Sequence, residues 1–188
     1  MTDDAPAAGS DAPATDVDVA EAPPAGSELL HGVPVTQSRG QTVLHPSRDE
    51  LVELVRRLRD DEGFDVCVDV CAVDYLSYAA DRGLPEGVEA ARFEVVVMLL
   101  GLDHRQRLRL RVQVPEADPT CPSLFDVHPG TEAMEREAFD LFGVRFEGHP
   151  DLTRILMPED WQGYPLRKDE PLGRIPVQFK AAPGGPVR

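Results

Sequence analysis

Residues 92–114, RFEVVVMLLGL, DHRQ and RLRLRVQV in succession, restrict the fold more than any other stretch. The first run is an apolar strand of the kind that lies inside a sheet. The second alternates Leu108, Leu110, Val112 and Val114 with arginines, so one face turns inward and the other outward. Four polar residues between them suffice for a reversal but not for a crossover, which predicts an antiparallel hairpin. The arginines from Arg105 to Arg111 are then expected to form one solvated face.

Other segments extend this pattern. In FDVCVDVCAVDYLSY, Phe64, Val66, Val68, Val70 and Ala72 share one strand face, and Asp65, Cys67, Asp69 and Cys71 the other. GVPVTQSRGQTVLHP reads as a short hairpin turning at SRGQ. A helix is predicted in SRDELVELVRRLRDDEG, where Ser47 and Glu50 form a capping box. Leu51, Leu54, Val55 and Leu58 recur there at helical spacing, and Gly63 is a stop. A second helix, EAMEREAFDLF, has Thr131 as its expected cap, Gly143 as its stop, and Met134, Ala138, Leu141 and Phe142 as its buried stripe. The region from Pro115 to Pro129 reads as a crossing loop. The pattern predicts an α+β fold: a mostly antiparallel sheet with helices on one face and a long irregular C-terminal segment.

Composition divides the chain. Residues 1–28 hold seven acids, no Lys or Arg and almost no large apolar side chains, so they are expected to be a disordered acidic Ala/Pro-rich tail. Residues 29–180 are expected to form one domain, and 181–188 a flexible C-terminal tail. Net charge is −15, of which −7 lies in the first 28 residues. With no basic stripe to offset it, this charge argues against nucleic acid as a partner. The apolar run 95–102 is far too short to span a bilayer. No basic region followed by an apolar stretch opens the chain, so no signal peptide is expected. Three cysteines point to reduced thiols in a cytoplasmic protein.

Candidate chemistry is sparse. Cys67 and Cys71, four apart on a strand, would lie roughly 13 Å apart, too far to share a metal. The five histidines lack metal-ligand spacing, and no glycine-rich phosphate loop or nucleophile elbow is present. Glu135 and Glu137 would point about 160° apart on a helix and cannot share a proton. Arg136 and Asp140 are spaced to pair on a solvated face. Phe139 lies off the main stripe, which suggests a second covered side, against this domain or another chain. In GYPLRKDEPLG, Pro165 and Pro171 stiffen a loop in which Leu166 and Leu172 flank the charges of Arg167, Lys168 and Asp169. With Trp161 upstream, the loop fits either a cover for its own core or contacts to a partner.

The run EREAFDLFGVRFEGHPDLTRILMPEDWQGYPLRKDEPL, residues 135–172, resembles the signature of the 30-kDa subunit family of respiratory complex I, the proton-pumping NADH–quinone oxidoreductase found in bacteria. Similarity in the order of strands and helices reaches back to about Val33. The signature residues here are Glu135, Arg136, Glu137, Asp140, Gly143, Gly148, His149, Pro150, Asp151, Arg154, Pro165, Leu166, Arg167, Lys168 and Asp169, and Trp161 joins them as an interface candidate. The resemblance implies roles in fold and subunit interface, with no catalytic, cofactor-binding or metal residues. It also implies an accessory subunit of the hydrophilic arm, on the cytoplasmic side of the cell membrane and peripheral to it through the complex. Its implied partners are the terminal iron–sulfur cluster subunit and the 49-kDa-type quinone-site subunit. FMN, iron–sulfur clusters, NADH and quinone belong to the complex as a whole. Met134 and Glu170 stand where aromatic residues are usual in the family. The alternatives are the equivalent subunit of a membrane-bound hydrogenase-type complex, or a free-standing α+β enzyme using His149 with Asp151 or Asp140 as an acid/base pair.

Overall fold

The computed structural model describes residues 28–170. The expected tails at 1–28 and 181–188, with Pro171, Leu172 and the domain's end at 180, lie outside the described residues except for Glu28, whose carbonyl accepts from Val35 N at 2.9 Å.

A six-stranded sheet is built from β1 (Leu29–Leu30), β2 (Val33–Ser38), β3 (Gln41–Leu44), β4 (Val66–Asp74), β5 (Phe93–Gly101) and β6 (Gln106–Val114), in the order β1-β2-β3-β6-β5-β4. Both expected hairpins form. Every neighbouring pair is antiparallel except β3 with β6, where Val43 lies beside Arg109 and the strands run parallel. The first hairpin turns at Arg39 and Gly40, both at positive φ, the geometry of a two-residue reversal.

Helix α1 (Arg48–Glu62) starts with the expected capping box between Ser47 and Glu50 and ends at Gly63, which is left-handed. Helix α2 (Glu132–Phe142) follows a 3₁₀ turn at Pro129–Thr131 and stops at Gly143. Thr131 does not cap it: its backbone is already helical and its side chain makes no capping bond, because the 3₁₀ turn leads straight in. Leu51, Leu54, Val55 and Leu58 of α1 and Ala138 of α2 join Val95, Val97, Leu99, Leu108, Leu110, Val112 and Val114 in one apolar core.

Three expectations fail for physical reasons. A bulge between Cys67 and Asp69 shifts the register of β4, so alternation does not run through the strand. Cys67 turns to the core side opposite Leu99, Val68 is exposed, and Cys71 lies on the opposite face beside Val96. The two cysteines therefore do not share a face. The loop after Pro115 contains β7 (Thr120–Pro122), which pairs in parallel with β8 (Arg145–Glu147) as a small second sheet. Strands this short leave no readable period.

The arginine face of β6 is not simply solvated. Buried Glu94 accepts a two-pronged grip from Arg111 at 2.8 and 2.9 Å, with Arg82 at 3.2 Å and Gln113 at 2.6 Å. Burial alone would raise the Glu94 carboxyl; these donors outweigh it and hold it below the usual range.

Candidate functional site: the segment wrapped around the second helix

The run singled out in the sequence folds as one helix and the irregular chain that encloses it. The last four carbonyls of a helix lack partners within it. In α2 all four are satisfied. Phe139 O accepts from Gly143 N (2.8 Å), Asp140 O from Arg154 Nη1 (3.1 Å), Leu141 O from Leu166 N (3.0 Å) and Phe142 O from Arg167 Nε (2.6 Å). Three of those four donors come from the later segment. No basic residue occupies the last turn of α2. Arg154 and Arg167 bring their charges to the negative end of the helix dipole instead.

Asp140 is the centre of the wrap. Its side chain is fully buried and pairs with Arg154 at 2.6 Å, not with Arg136 as spacing suggested. Its other oxygen accepts the backbone N–H groups of Ile155, Leu156 and Met157 at 3.0, 2.7 and 2.8 Å. Burial pushes this carboxyl upward, but the N–H donors and Arg154 outweigh it and the net shift is down. Arg136 instead reaches the Thr153 carbonyl and hydroxyl and the Arg154 carbonyl.

Glu135 is also buried, with Ser123 Oγ at 2.6 Å and Leu124 N at 2.7 Å as donors. Burial raises its carboxyl above the ordinary range. The stripe of α2 is therefore mixed: Ala138 is in the core, Met134 and Phe142 pack on it partly buried, and Leu141 is half-buried. Two of the helix's charges are inside. Glu137 alone of its signature acids is exposed.

His149 is held by the backbone on both sides. Nδ1 accepts from Asp151 N at 3.0 Å, which leaves Nε2–H to face Glu132 O at 3.0 Å. Asp151 offers its amide, not its carboxylate, and Asp140 faces Arg154. The acid/base pair of the enzyme alternative is thus not assembled. Gly148, at positive φ, and exposed Pro150 shape this corner.

Gly143 has two reasons to lack a side chain. Its φ is +74°, and a Cβ would lie 2.5 Å from Arg167 Nη2 and 2.6 Å from the Tyr164 ring. Tyr164 meets Phe139 edge-on at 6.2 Å, so the second covered side of α2 faces this same chain. Arg167 stacks over Tyr164 and Phe93. Beyond it, Lys168 donates its backbone N–H to Asp74 and Asp169 pairs with Arg92. Of the three adjacent charges, Arg167 is turned inward, Asp169 is half-exposed but held by Arg92, and the Lys168 side chain is left in solvent. Trp161 and Pro165 are half-buried. Glu170 places its carboxylate where a side chain on Gly163 would stand.

Asp74, Arg92, Ser123 and Leu124 belong to this assembly but had no signal in spacing; only the opposite charges flanking residues 75–91 hinted at the first two. The wrap leaves three large apolar side chains outside, Ile155, Leu156 and Leu166, at 40%, 59% and 46% exposed, among exposed polar residues that include Glu159, Asp160 and Lys168. Among the described residues, no three His, Cys, Asp or Glu come together as a metal site.

Comparison with known proteins gives this arrangement a family. Residues 44–175 match the family described as "Respiratory-chain NADH dehydrogenase, 30 Kd subunit". A protein of Salinispora arenicola, named as a subunit of NADH-quinone oxidoreductase, is 43% identical over 164 residues, 86% of this chain and 62% of that protein. Its namesake from Nocardioides sp. is 45% identical over 152 residues, 79% of this chain and 55% of the other. The chain thus spans less than two thirds of the length of these curated relatives. A solved trypsin-resistant fragment of Nqo5 superposes with a TM-score of 0.57 at 34% identity, covering 64% of this chain and 90% of the fragment. A chain of an archaeal membrane-bound sulfane sulfur reductase superposes at 0.60 and 21% identity, over 73% of this chain and 76% of that one, and shares the fold. With its signature residues engaged as described, this chain belongs to the family of the 30 kDa subunit of the respiratory-chain NADH dehydrogenase.

Proposed function

We propose that the chain is an accessory subunit in the hydrophilic arm of a proton-pumping NADH–quinone oxidoreductase, peripheral to the cytoplasmic side of the membrane. It binds no cofactor and transfers no electrons itself; it presents a fixed surface to the terminal-cluster and quinone-site subunits. The observation that carries this reading is the division of labour in the wrapped segment. The buried charges of Asp140 and Arg154 and the backbone from Ile155 to Met157 are consumed inside the chain, and Ile155, Leu156 and Leu166 are left facing out beside the exposed charges of Glu159, Asp160 and Lys168. Apolar side chains on a braced backbone suit an interface, because little ordering remains to be done on binding. Family membership supports the same reading. Among the described residues, no helix is long and apolar enough to cross a membrane.

The test is recovery of sibling subunits with a tagged full chain from cells. Leu156→Asp and Leu166→Asp should each reduce recovery strongly while the unfolding temperature stays within about 2 °C, as for surface substitutions. Undiminished recovery would contradict the reading. So would stoichiometric iron or flavin in the purified chain.

A further inference from the structure

Arg92 lies outside the signature run, yet it fastens the end of the wrapped segment to the sheet. It immediately precedes β5, its side chain is 7% exposed, and its guanidinium meets three carboxylates. Nε and Nη2 grip Asp74 at 3.1 and 3.0 Å; Nη2 also reaches Asp169 at 2.6 Å, and Nη1 reaches Glu116 at 2.5 Å. Asp74, at the end of β4, is fully buried and also accepts the backbone N–H groups of Leu76 and Lys168. One guanidinium therefore ties the sheet, through Asp74, to the Lys168–Asp169 turn. A planar fork with five donors can do this; a lysine ammonium cannot span the same partners.

Leu166 is suspended between two anchors. On one side its own N–H and Arg167 Nε bind the end of α2; on the other, Asp74 and Arg92 hold residues 168 and 169. We propose that Arg92 is a positioning residue for the docking surface: it holds the Tyr164–Asp169 turn in one arrangement, so that partner affinity depends on a latch the partner does not touch. The inference rests on the reading that Ile155, Leu156 and Leu166 meet a partner subunit. The physical reason is preorganisation, since a turn that is loose before binding must be ordered during it.

Removing Arg92 outright would strand the buried Asp74 charge and confuse the result. Asp169→Asn is cleaner, because Asp169 is half-exposed and its side chain reaches into the cluster only through Arg92. Amide hydrogen exchange at residues 164–170 is measured on the full chain, and sibling-subunit recovery from cells in parallel. Asp169→Asn should speed exchange in the turn and lower recovery, each by about tenfold, the scale of losing one charged hydrogen bond. Glu116→Gln, which touches Arg92 from outside the turn, should change neither. Leu166→Ala should lower recovery without speeding exchange. Unchanged exchange in Asp169→Asn, or faster exchange with full recovery, overturns the latch. If Leu166→Ala also leaves recovery intact, the docking reading falls with it; if only Asp169→Asn fails, the latch alone is wrong.

Discussion

Asp140 and Arg154 meet at 2.6 Å inside the molecule, fourteen residues apart in a run that reads as surface charge. The carboxylate also carries three backbone N–H groups, so its loss strands more than one arginine. Asp140→Ala should destabilise the chain by about 3–5 kcal/mol, the range for breaking a buried pair. Thermal unfolding followed by circular dichroism measures this. A loss under about 1 kcal/mol, typical of an exposed pair, would show that the pair is not buried in solution.

Gly143→Ala should do its damage beyond the helix. A left-handed alanine costs about 1–2 kcal/mol, and its Cβ would also push against Tyr164 and Arg167. Limited proteolysis should then cut first within residues 150–170. Cleavage equally slow in wild type and variant would refute the close approach.

Glu135 gives a pH dependence of unusual sign. Its folded carboxyl titrates above the ordinary 4.5 because burial disfavours the charge. Below that value both folded and unfolded chains hold the proton, and the group costs nothing. As pH rises through it, the unfolded chain releases its proton first and stability falls until the folded carboxyl ionises. Glu135→Gln, whose amide can face Ser123 Oγ while its carbonyl accepts from Leu124 N, should match wild type near pH 4. At pH 7 it should be more stable than wild type. Denaturant unfolding at the two pH values checks this, and a variant less stable at pH 7 would contradict it.

His149 should be the Nε2–H tautomer, since Asp151 N occupies Nδ1 and a carbonyl faces Nε2. Long-range proton–nitrogen NMR at neutral pH distinguishes the two neutral tautomers. A dominant Nδ1–H form would overturn the assignment.

The sequence made some of this legible and hid the rest for identifiable reasons. The β5–β6 hairpin and the capped helix α1 were readable because their signals are local: apolar period, turn length, Ser47 with Glu50. The bulge at Val68 was not, since one extra residue inverts a face without altering composition. The parallel β3–β6 contact joins strands separated by α1, β4 and β5, and no local pattern encodes it. In the wrapped segment, Glu135 and Asp140 look like solvent-facing acids until their donors are known, and those donors are mostly backbone amides, which every residue carries alike. Resemblance to the family marked these residues; geometry shows that they largely serve one another.

The borrowed ending of α2 also bears on how the chain is made. Phe142 waits twenty-five residues for Arg167, and its helix cannot close until that stretch has been translated. At about 5–20 residues per second, that is a delay on the order of seconds. During it, the Phe142 carbonyl has water as its partner, and for the first part the Asp140 carboxylate lacks the arginine that later neutralises it. The surface made by residues 150–170 is therefore finished only after the helix beneath it has been made.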